Sequence, residues 1–319
     1  MPPVSTARGA SRVREHVVPV LYFVQVHLLC ATLVACGAWA LTSLPGASVT
    51  TKFWVWTAAS LNFALPVGGF IDRFGAADFP GARQVGSLAA FDLRLAQHPL
   101  LAALLCALWL SGAILMLLRL AVRIVRERHE RGRDALGAPD FHVRGVPVHI
   151  TAGRRGPAVY GMVRTRICLP AGMESLLSRR ELDAVLLHEV THAKRRDNLL
   201  GLIHEVAQCL LWFHPLLWLA GARLALYREL SCDESVLRAS QGRWLVSALA
   251  KLAAPESSLV LRSAATSLVS RRLDRLLAPA APAANRLLNG LLLVGFSVLL
   301  LSAVLLTVAH TACCLVPVA

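Results

Sequence analysis

Long apolar runs dominate this chain, and they predict helices of membrane-spanning length. A bilayer core about 30 Å thick requires roughly 20 apolar residues of helix. Four runs meet or approach this length, at residues 17–43, 53–70, 99–121 and 287–309. The second run is the weakest because Asn62 and Pro66 interrupt it, and an apolar hairpin packed on its neighbours would show the same pattern. The runs predict a polytopic membrane protein with about four transmembrane helices.

The pattern changes between the third and fourth runs, where shorter elements are predicted. Residues 146–151 and 159–169 are typical of two strands, separated by a turn-rich segment. Ser178 and Glu181 have the spacing of a capping box, directly before a run with helical periodicity. We therefore expect this part of the chain to be mainly α-helical, with a small β-sheet.

Polar residues interrupt the nearly apolar segment 199–221. It contains His204, Glu205 and His214, which are too polar for a simple lipid-facing span. We expect a helix that is buried in protein or partly sunk in the membrane. A helix at about 222–240 and amphipathic, arginine-rich helices within 243–278 are predicted to follow.

The charge distribution predicts the orientation of the chain. The 319 residues are 56% hydrophobic and 16% charged, with a net charge of +14. The arginines gather at the ends of the predicted spans and not among aromatic residues, so direct binding of nucleic acid is not expected. By the positive-inside rule, residues 122–286 face the cytoplasm and the amino terminus lies outside. Two clusters support this orientation: Arg119, Arg123, Arg126, Arg128, Arg131 and Arg133, and Arg262, Arg271, Arg272, Arg275 and Arg286.

Three regions are therefore predicted. Residues 1–121 form a membrane region with about three spans, residues 122–286 a cytoplasmic domain, and residues 287–319 a C-terminal transmembrane helix with a short tail. Arg8, Arg12 and Arg14 favour the opposite orientation but are outnumbered. The eight cysteines form no CxxC pair and are interpreted as small apolar fillers.

The helix predicted after Ser178 carries a zinc-binding pattern. His188 to His192 reads HEVTH and matches HExxH. Two imidazoles four residues apart lie on one face of a helix and can bind the same ion. Glu189 can take a proton from a water that Zn²⁺ activates and pass it to the leaving amine. The pattern predicts hydrolysis of peptide bonds.

A catalytic zinc usually has three protein ligands and one open position. A metzincin would have Gly and His where this chain has Arg195 and Asn198, so that subclass is excluded. Glu229, on a later predicted helix, is the best candidate for the third ligand. His204 and Glu205 are rivals, but they follow the motif so soon that the chain has little room to turn back.

Other polar residues have two interpretations each. Asp233 either accepts a hydrogen bond from a ligating imidazole or is a solvated helix charge. Asp197 has a weaker claim, since its basic neighbours suggest an exposed polar face. His214 is a capping or kink residue, or it stabilises an oxyanion. The strand at 159–169 is purely structural, or its edge pairs with an extended substrate.

Several segments in a fixed order carry a family resemblance over most of residues 50–240. They are Lys52-Phe-Trp-Val-Trp56, Leu61 to Pro66, Arg166 to Pro170, the HEVTH motif with Lys194 to Asp197, Trp212-Phe-His-Pro-Leu216 and Arg228 to Glu234. In these segments the chain resembles the BlaR/MecR antirepressor group of membrane gluzincins, bacterial proteases that signal β-lactam exposure.

The resemblance implies zinc ligands His188, His192 and Glu229, with Glu189 as the catalytic acid and base. It also implies a multi-pass protein of the bacterial inner membrane, with a cytoplasmic gluzincin-type domain that cuts a transcriptional repressor. Signalling members of the group carry a penicillin-binding sensor after the last span. This chain ends at Ala319, about ten residues beyond its last run, and contains no Ser-x-x-Lys motif. The signal is therefore expected to come from a separate sensor protein or from the membrane region of the chain itself.

The sequence is compatible with three functions. The first is a regulatory endopeptidase in signal transduction, and the second is a general quality-control or processing protease similar to the HtpX and CAAX types. The third is a catalytically silent membrane receptor or scaffold, against which Glu189 argues because a structural zinc needs no base. The sequence does not indicate an oligomeric state.

Overall fold

The structure, a computed structural model, describes residues 5–64, 98–131, 138–152, 156–252, 262–277 and 286–315. The chain begins with helices α1 (Ser5–Ser43), α2 (Val49–Ala64) and α3 (Pro99–Arg131). Strands β1 (Phe141–Val143), β2 (Val146–Thr151), β3 (Ala158–Tyr160) and β4 (Arg166–Pro170) follow. The remaining helices are α4 (Met173–Leu176), α5 (Arg179–Arg195), α6 (Asp197–Leu210), α7 (Pro215–Arg238), α8 (Gly242–Leu252), α9 (Arg262–Leu277) and α10 (Arg286–Leu315). The prediction of a mainly helical chain with a small sheet is confirmed.

Three helices within the described ranges are long and apolar enough to cross a membrane. They contain the segments Val24–Ser43 in α1, Leu100–Glu127 in α3 and Leu287–Leu305 in α10. Most side chains of the α3 segment are exposed, including Leu104 and Leu108 at 60% and 59%. A lipid environment would cover this apolar surface. The chain is therefore a membrane protein.

The second predicted span corresponds in part to α2. This helix is not among the three candidate spans, and most of its aromatic side chains are buried against neighbouring helices, whereas Trp54 is exposed. Phe53 and Trp56 are 1% and 0% exposed, and Trp56 Nε1 donates a hydrogen bond to Thr42 Oγ1 at 3.1 Å. Residues 53–64 of this run therefore match the alternative in which the run packs on its neighbours. Residues 65–70 lie outside the described ranges.

The four strands form one mixed sheet in the order β1-β2-β4-β3. Strand β2 pairs in parallel with β4, and β1 and β3 pair antiparallel with β2 and β4. The prediction of one strand over 159–169 is wrong, because β3 and β4 are two strands joined by a turn. Gly161 has φ +88° in this turn, and a Cβ there would lie 2.2 Å from the carbonyl oxygen of Arg164.

Segment 199–221 is also two elements. Helix α6 ends at Leu210 and α7 begins at Pro215, with a turn between them. Trp109, within the membrane-spanning segment of α3, donates its Nε1 hydrogen to Leu210 O at 2.7 Å. Trp212 Nε1 donates to Trp109 O at 3.2 Å. The turn therefore lies against a helix of membrane-spanning length, at a distance from either of its ends.

Two of the hydrophobic clusters connect the membrane helices with the sheet and the helices around it. One joins α1, α2, α7 and α10 through side chains such as Val34, Trp56 and Phe296. The other joins the sheet to α5, α7, α8 and α9 through side chains such as Ile167 and Val185. Helix α7 contributes to both clusters, so it connects the membrane helices to the domain that carries the motif.

Candidate metal centre

Helix α5 positions the HEVTH motif. Its predicted start is confirmed, since Ser178 Oγ accepts a hydrogen bond from Glu181 N and Glu181 Oε2 accepts one from Ser178 N. The apolar face of α5 packs in the second cluster, and His188 and Glu189 are buried at 4% and 9% exposure. His188 and His192 lie one turn apart, with their Nε2 atoms separated by 3.1 Å. The two nitrogens therefore point to one location.

Glu229 of α7 reaches the same location. Its Oε2 lies 3.5 Å from His188 Nε2, and its Oε1 lies 3.7 Å from His192 Nε2. Tetrahedral zinc bonds of about 2.0–2.2 Å place neighbouring ligand atoms about 3.3–3.6 Å apart. The spacing of the two nitrogens and the carboxylate is close to these values, and the donor types are those that zinc takes. The residues present therefore fit a zinc ion.

An aspartate and an arginine lie behind His192. Asp197 Oδ2 is 2.6 Å from His192 Nδ1, and Arg195 Nε donates to Asp197 Oδ1 at 2.8 Å. The expectation that Asp197 belongs to an exposed polar face is wrong, since its side chain is 2% exposed. The cause is the corner between α5 and α6, where Arg196 has φ 56° and turns the chain back on itself.

A similar arrangement lies behind His188. Asp233 Oδ1 is 3.0 Å from His188 Nδ1, although the two atoms are not aligned for a full hydrogen bond. Arg272 Nε and Nη2 donate to the two carboxylate oxygens of Asp233, each at 2.8 Å. Asp233 is 0% exposed, so it is not a solvated charge. Arg272 was interpreted from the sequence only as a membrane-flanking charge, and its place in this site was missed.

Cys232 also lies close to the two histidines. Its Sγ and one ring nitrogen each of His188 and His192 lie within 4.8 Å of one another, a grouping that could hold a metal ion. Arg195 Nη2 donates to Cys232 Sγ at 3.1 Å. The interpretation of the cysteines as apolar fillers therefore does not describe Cys232. Its thiol is a polar part of the centre.

The electrostatics of the centre favour an ionised carboxylate between two basic rings. Burial would raise the pKa of Glu229, but contacts with His188 and His192 outweigh burial and hold it well below its ordinary value. Burial would lower the pKa of His192, but Asp197, Cys232 and Glu229 together raise it well above the usual range. Protons and a cation would therefore compete for the same imidazole nitrogens.

The ligand atoms open into a cavity of about 380 Å³. Glu189 lines it beside the histidines, and so do Pro157, Ala158 and Val159. Leu249 is among its apolar lining residues. This combination of acidic and apolar lining has room for a short stretch of extended peptide. Asn198 Nδ2 donates to Val159 O at 3.0 Å, so one carbonyl of edge strand β3 already has a partner.

The rival ligands lie elsewhere. Glu205 forms an ion pair with Arg123 of α3. His204 packs against α7 where Gly221 leaves room, since a Cβ on Gly221 would lie 2.4 Å from His204 Nε2. His214 Nε2 lies 3.1 Å from Thr32 Oγ1 in α1. None of these three side chains is among the residues that line the cavity.

The chain is similar to several known proteins. The chain is 24% identical over 110 residues to the methicillin resistance mecR1 proteins of Staphylococcus aureus and Staphylococcus epidermidis, covering 34% of the chain and 19% of those proteins. It is 36% identical over 84 residues to the regulatory protein BlaR1 of Bacillus licheniformis, covering 26% of the chain and 14% of that protein. The chain thus matches less than a fifth of the length of these relatives. The profile of the BlaR1 peptidase M56 family matches residues 82–276, which is more than half of the chain, and the chain belongs to this family.

Proposed function

We propose that this protein is a membrane-bound zinc metalloendopeptidase. His188, His192 and Glu229 would hold Zn²⁺, and Glu189 would act as general base and then general acid. The observation that carries the proposal is the convergence of two imidazole nitrogens and a carboxylate, 3.1 to 3.7 Å apart, in a cavity that also exposes Glu189. Three protein ligands leave one position open, as in catalytic sites.

The side chains of the cavity account for the proton transfers. Zinc, when bound, supplies Lewis acidity for the scissile carbonyl and for water. Glu189 accepts a proton from the attacking water and delivers it to the nitrogen of the leaving amine. The lining residues Pro157 to Val159 would orient the extended substrate, and the apolar lining residues would limit access of bulk water.

A regulatory role is the best-supported assignment within this class. The relatives named above include a regulatory protein and methicillin resistance proteins. Arginines at the end of α3, such as Arg119, Arg123 and Arg126, favour a cytoplasmic location of the peptidase domain in the bacterial inner membrane. We infer that the substrate is a cytoplasmic repressor-like protein.

The experiment compares the wild type with Glu189→Gln in the bacterial cell. New peptide termini in the proteome of cells with the wild type, absent with the variant, would support the proposal and identify the substrate. Both proteins should retain metal, because Glu189 is not a ligand. Identical proteomes under several membrane and cell-wall stresses, with metal in both proteins, would favour a catalytically silent receptor or scaffold. Cleavage confined to misfolded membrane proteins would favour a quality-control protease.

A further inference from the structure

Arg272 reaches the candidate metal centre from a helix that carries none of the proposed zinc ligands. It belongs to α9, and it is buried at 9% exposure. Its Nε and Nη2 atoms form a bidentate (two-pronged) pair of hydrogen bonds with the carboxylate of Asp233. This geometry matches the planar guanidinium and is one that a lysine cannot reproduce.

The same guanidinium lies close to two of the proposed zinc ligands. Arg272 Nη1 is 3.4 Å from Glu229 Oε2, and Nη2 is 3.5 Å from His188 Nε2. Glu229 and Asp233 are four residues apart on α7, a spacing at which like charges repel. The guanidinium of Arg272 lies between the two carboxylates, so it offsets this repulsion and holds both of them on the side of α7 that faces His188.

The centre thus contains two arrangements in which an arginine, an aspartate and a histidine follow one another, although only His192 has the alignment of a full hydrogen bond to its aspartate. Arg195 holds Asp197 behind His192, and Arg272 holds Asp233 behind His188. The first forms within a single corner of the chain, since Arg195 and Asp197 are two residues apart. The second joins residues that are 39 positions apart and requires α9 to dock on α7. Leu276, one turn after Arg272, anchors α9 in the apolar cluster beneath the motif helix.

We propose that Arg272 is a positioning residue for zinc, which acts through Asp233 on His188 and directly on Glu229. The inference rests on the proposed function, because it assigns a role toward the same zinc site. A fixed carboxylate at Nδ1 sets the orientation of an imidazole and leaves Nε2 for the metal. Because Asp233 neutralises the guanidinium, the repulsion between Arg272 and a nearby dication is reduced. The zinc site is therefore complete only when α9 is docked.

The test is the zinc dissociation constant of the full chain in detergent, measured by competition with a chromophoric chelator. Arg272→Gln should weaken zinc binding by about 10- to 100-fold, as loss of a ligand-orienting partner typically does. Arg272→Lys should restore part of the loss, because it keeps the charge without the two-pronged hydrogen bond. The exposed neighbour Arg271→Gln is the matched control and should bind zinc as the wild type does. The Tm of each metal-free protein checks that the fold is retained, and the Lys variant carries the test if the Gln variant does not fold.

A double-mutant cycle tests whether Arg272 acts through Asp233. Asp233→Asn alone should weaken zinc binding, and adding Arg272→Gln should then cost much less than it does in the wild type, because the two residues form one unit. Fully additive losses would contradict the proposal. Zinc binding by Arg272→Gln that is equal to or tighter than that of the wild type would also overturn it, and tighter binding would show that the guanidinium competes with the metal. If the wild type itself binds no zinc, the proposed function is wrong. If the wild type binds zinc and the variants do not behave as expected, only the role of Arg272 is wrong.

Discussion

The Nδ1 atom of His192 lies 2.6 Å from Oδ2 of Asp197, across the corner at which α5 ends and α6 begins. This contact fixes the imidazole ring so that Nε2 points toward His188 and Glu229. The contact joins residues five positions apart, and Arg196, which has a left-handed backbone conformation, lies between them at this corner. The motif helix and its corner thus form one preorganised half of the centre.

Replacing Asp197 tests this half directly. Asp197→Asn removes the negative charge but keeps the size of the side chain. We expect zinc affinity to fall by about 10- to 100-fold, since the ring of His192 loses its ionised partner. The measurement is a zinc titration against a competing chelator. Asp183→Asn, on the exposed side of the same helix, is the control and should leave the affinity unchanged; equal affinities for both variants would refute the role of Asp197.

The identity of the third ligand is tested by a pair of glutamate variants. Glu229→Gln should lose bound zinc and reduce proteolysis below detection, because a neutral amide is a poor zinc ligand. Glu205→Gln should retain both, since Glu205 pairs with Arg123 and does not line the cavity. Metal content of the purified proteins, measured by atomic emission, is the readout. Retention of zinc by Glu229→Gln together with its loss from Glu205→Gln would reverse the assignment.

Packing between α3 and the turn after α6 depends on Gly112. A Cβ at this position would lie 2.5 Å from ring atoms of Trp212. Gly112→Ala should therefore displace the indole and destabilise the protein by about 1–3 kcal/mol, the usual cost of overpacking. Gly290→Ala is the control, because among the described residues no atom beyond the neighbouring backbone of α10 lies within 4 Å of the added methyl group, and only the gain in helix propensity applies. Thermal unfolding in detergent should show a lower Tm for Gly112→Ala alone, and equal Tm values would argue against this contact.

The capping box of α5 predicts a dependence of stability on pH. Hydrogen bonds from Lys251, Ser247 and Ser178 lower the pKa of Glu181 from 4.5 to about 2. The folded-state pKa lies below the ordinary value, so the stabilisation is complete above about 4.5 and is lost as the pH falls toward about 2. Glu181→Gln should therefore reduce the free energy of unfolding at pH 7, and its difference from the wild type should shrink at pH 3.

Denaturant unfolding at both pH values measures this effect. Glu174→Gln, an exposed glutamate on the preceding helix, is the control and should change stability little at either pH. A difference between Glu181→Gln and the wild type that stays constant from pH 7 to pH 3 would contradict the explanation.

Local patterns predicted much of the centre. The capping box at Ser178 and Glu181 marks the start of α5, and the HEVTH spacing places two imidazoles on one face. Both signals depend on residues a few positions apart, so the sequence alone contains them. Glu229 was a candidate because it lies on a later helix with enough intervening chain to return, and the structure brings it to the two histidines.

Contacts between distant helices could not be predicted in this way. Arg272 belongs to a cluster of arginines next to a membrane span, which hides its pairing with Asp233. Asp197 sits among basic residues, and its burial involves both the left-handed backbone conformation of Arg196 and the pairing with Arg195, which contacts α7. The burial of α2 was likewise an open alternative, because the apolar surface that covers Trp56 comes from other helices.

We propose that one zinc ion binds between His188, His192 and Glu229. An experimental structure of the purified protein, with anomalous data collected at the zinc edge, would locate this ion. We expect one anomalous peak, about 2.0–2.2 Å from Nε2 of both histidines and from a carboxylate oxygen of Glu229. No peak at this position, or a peak held by Cys232 Sγ in place of Glu229, would contradict it.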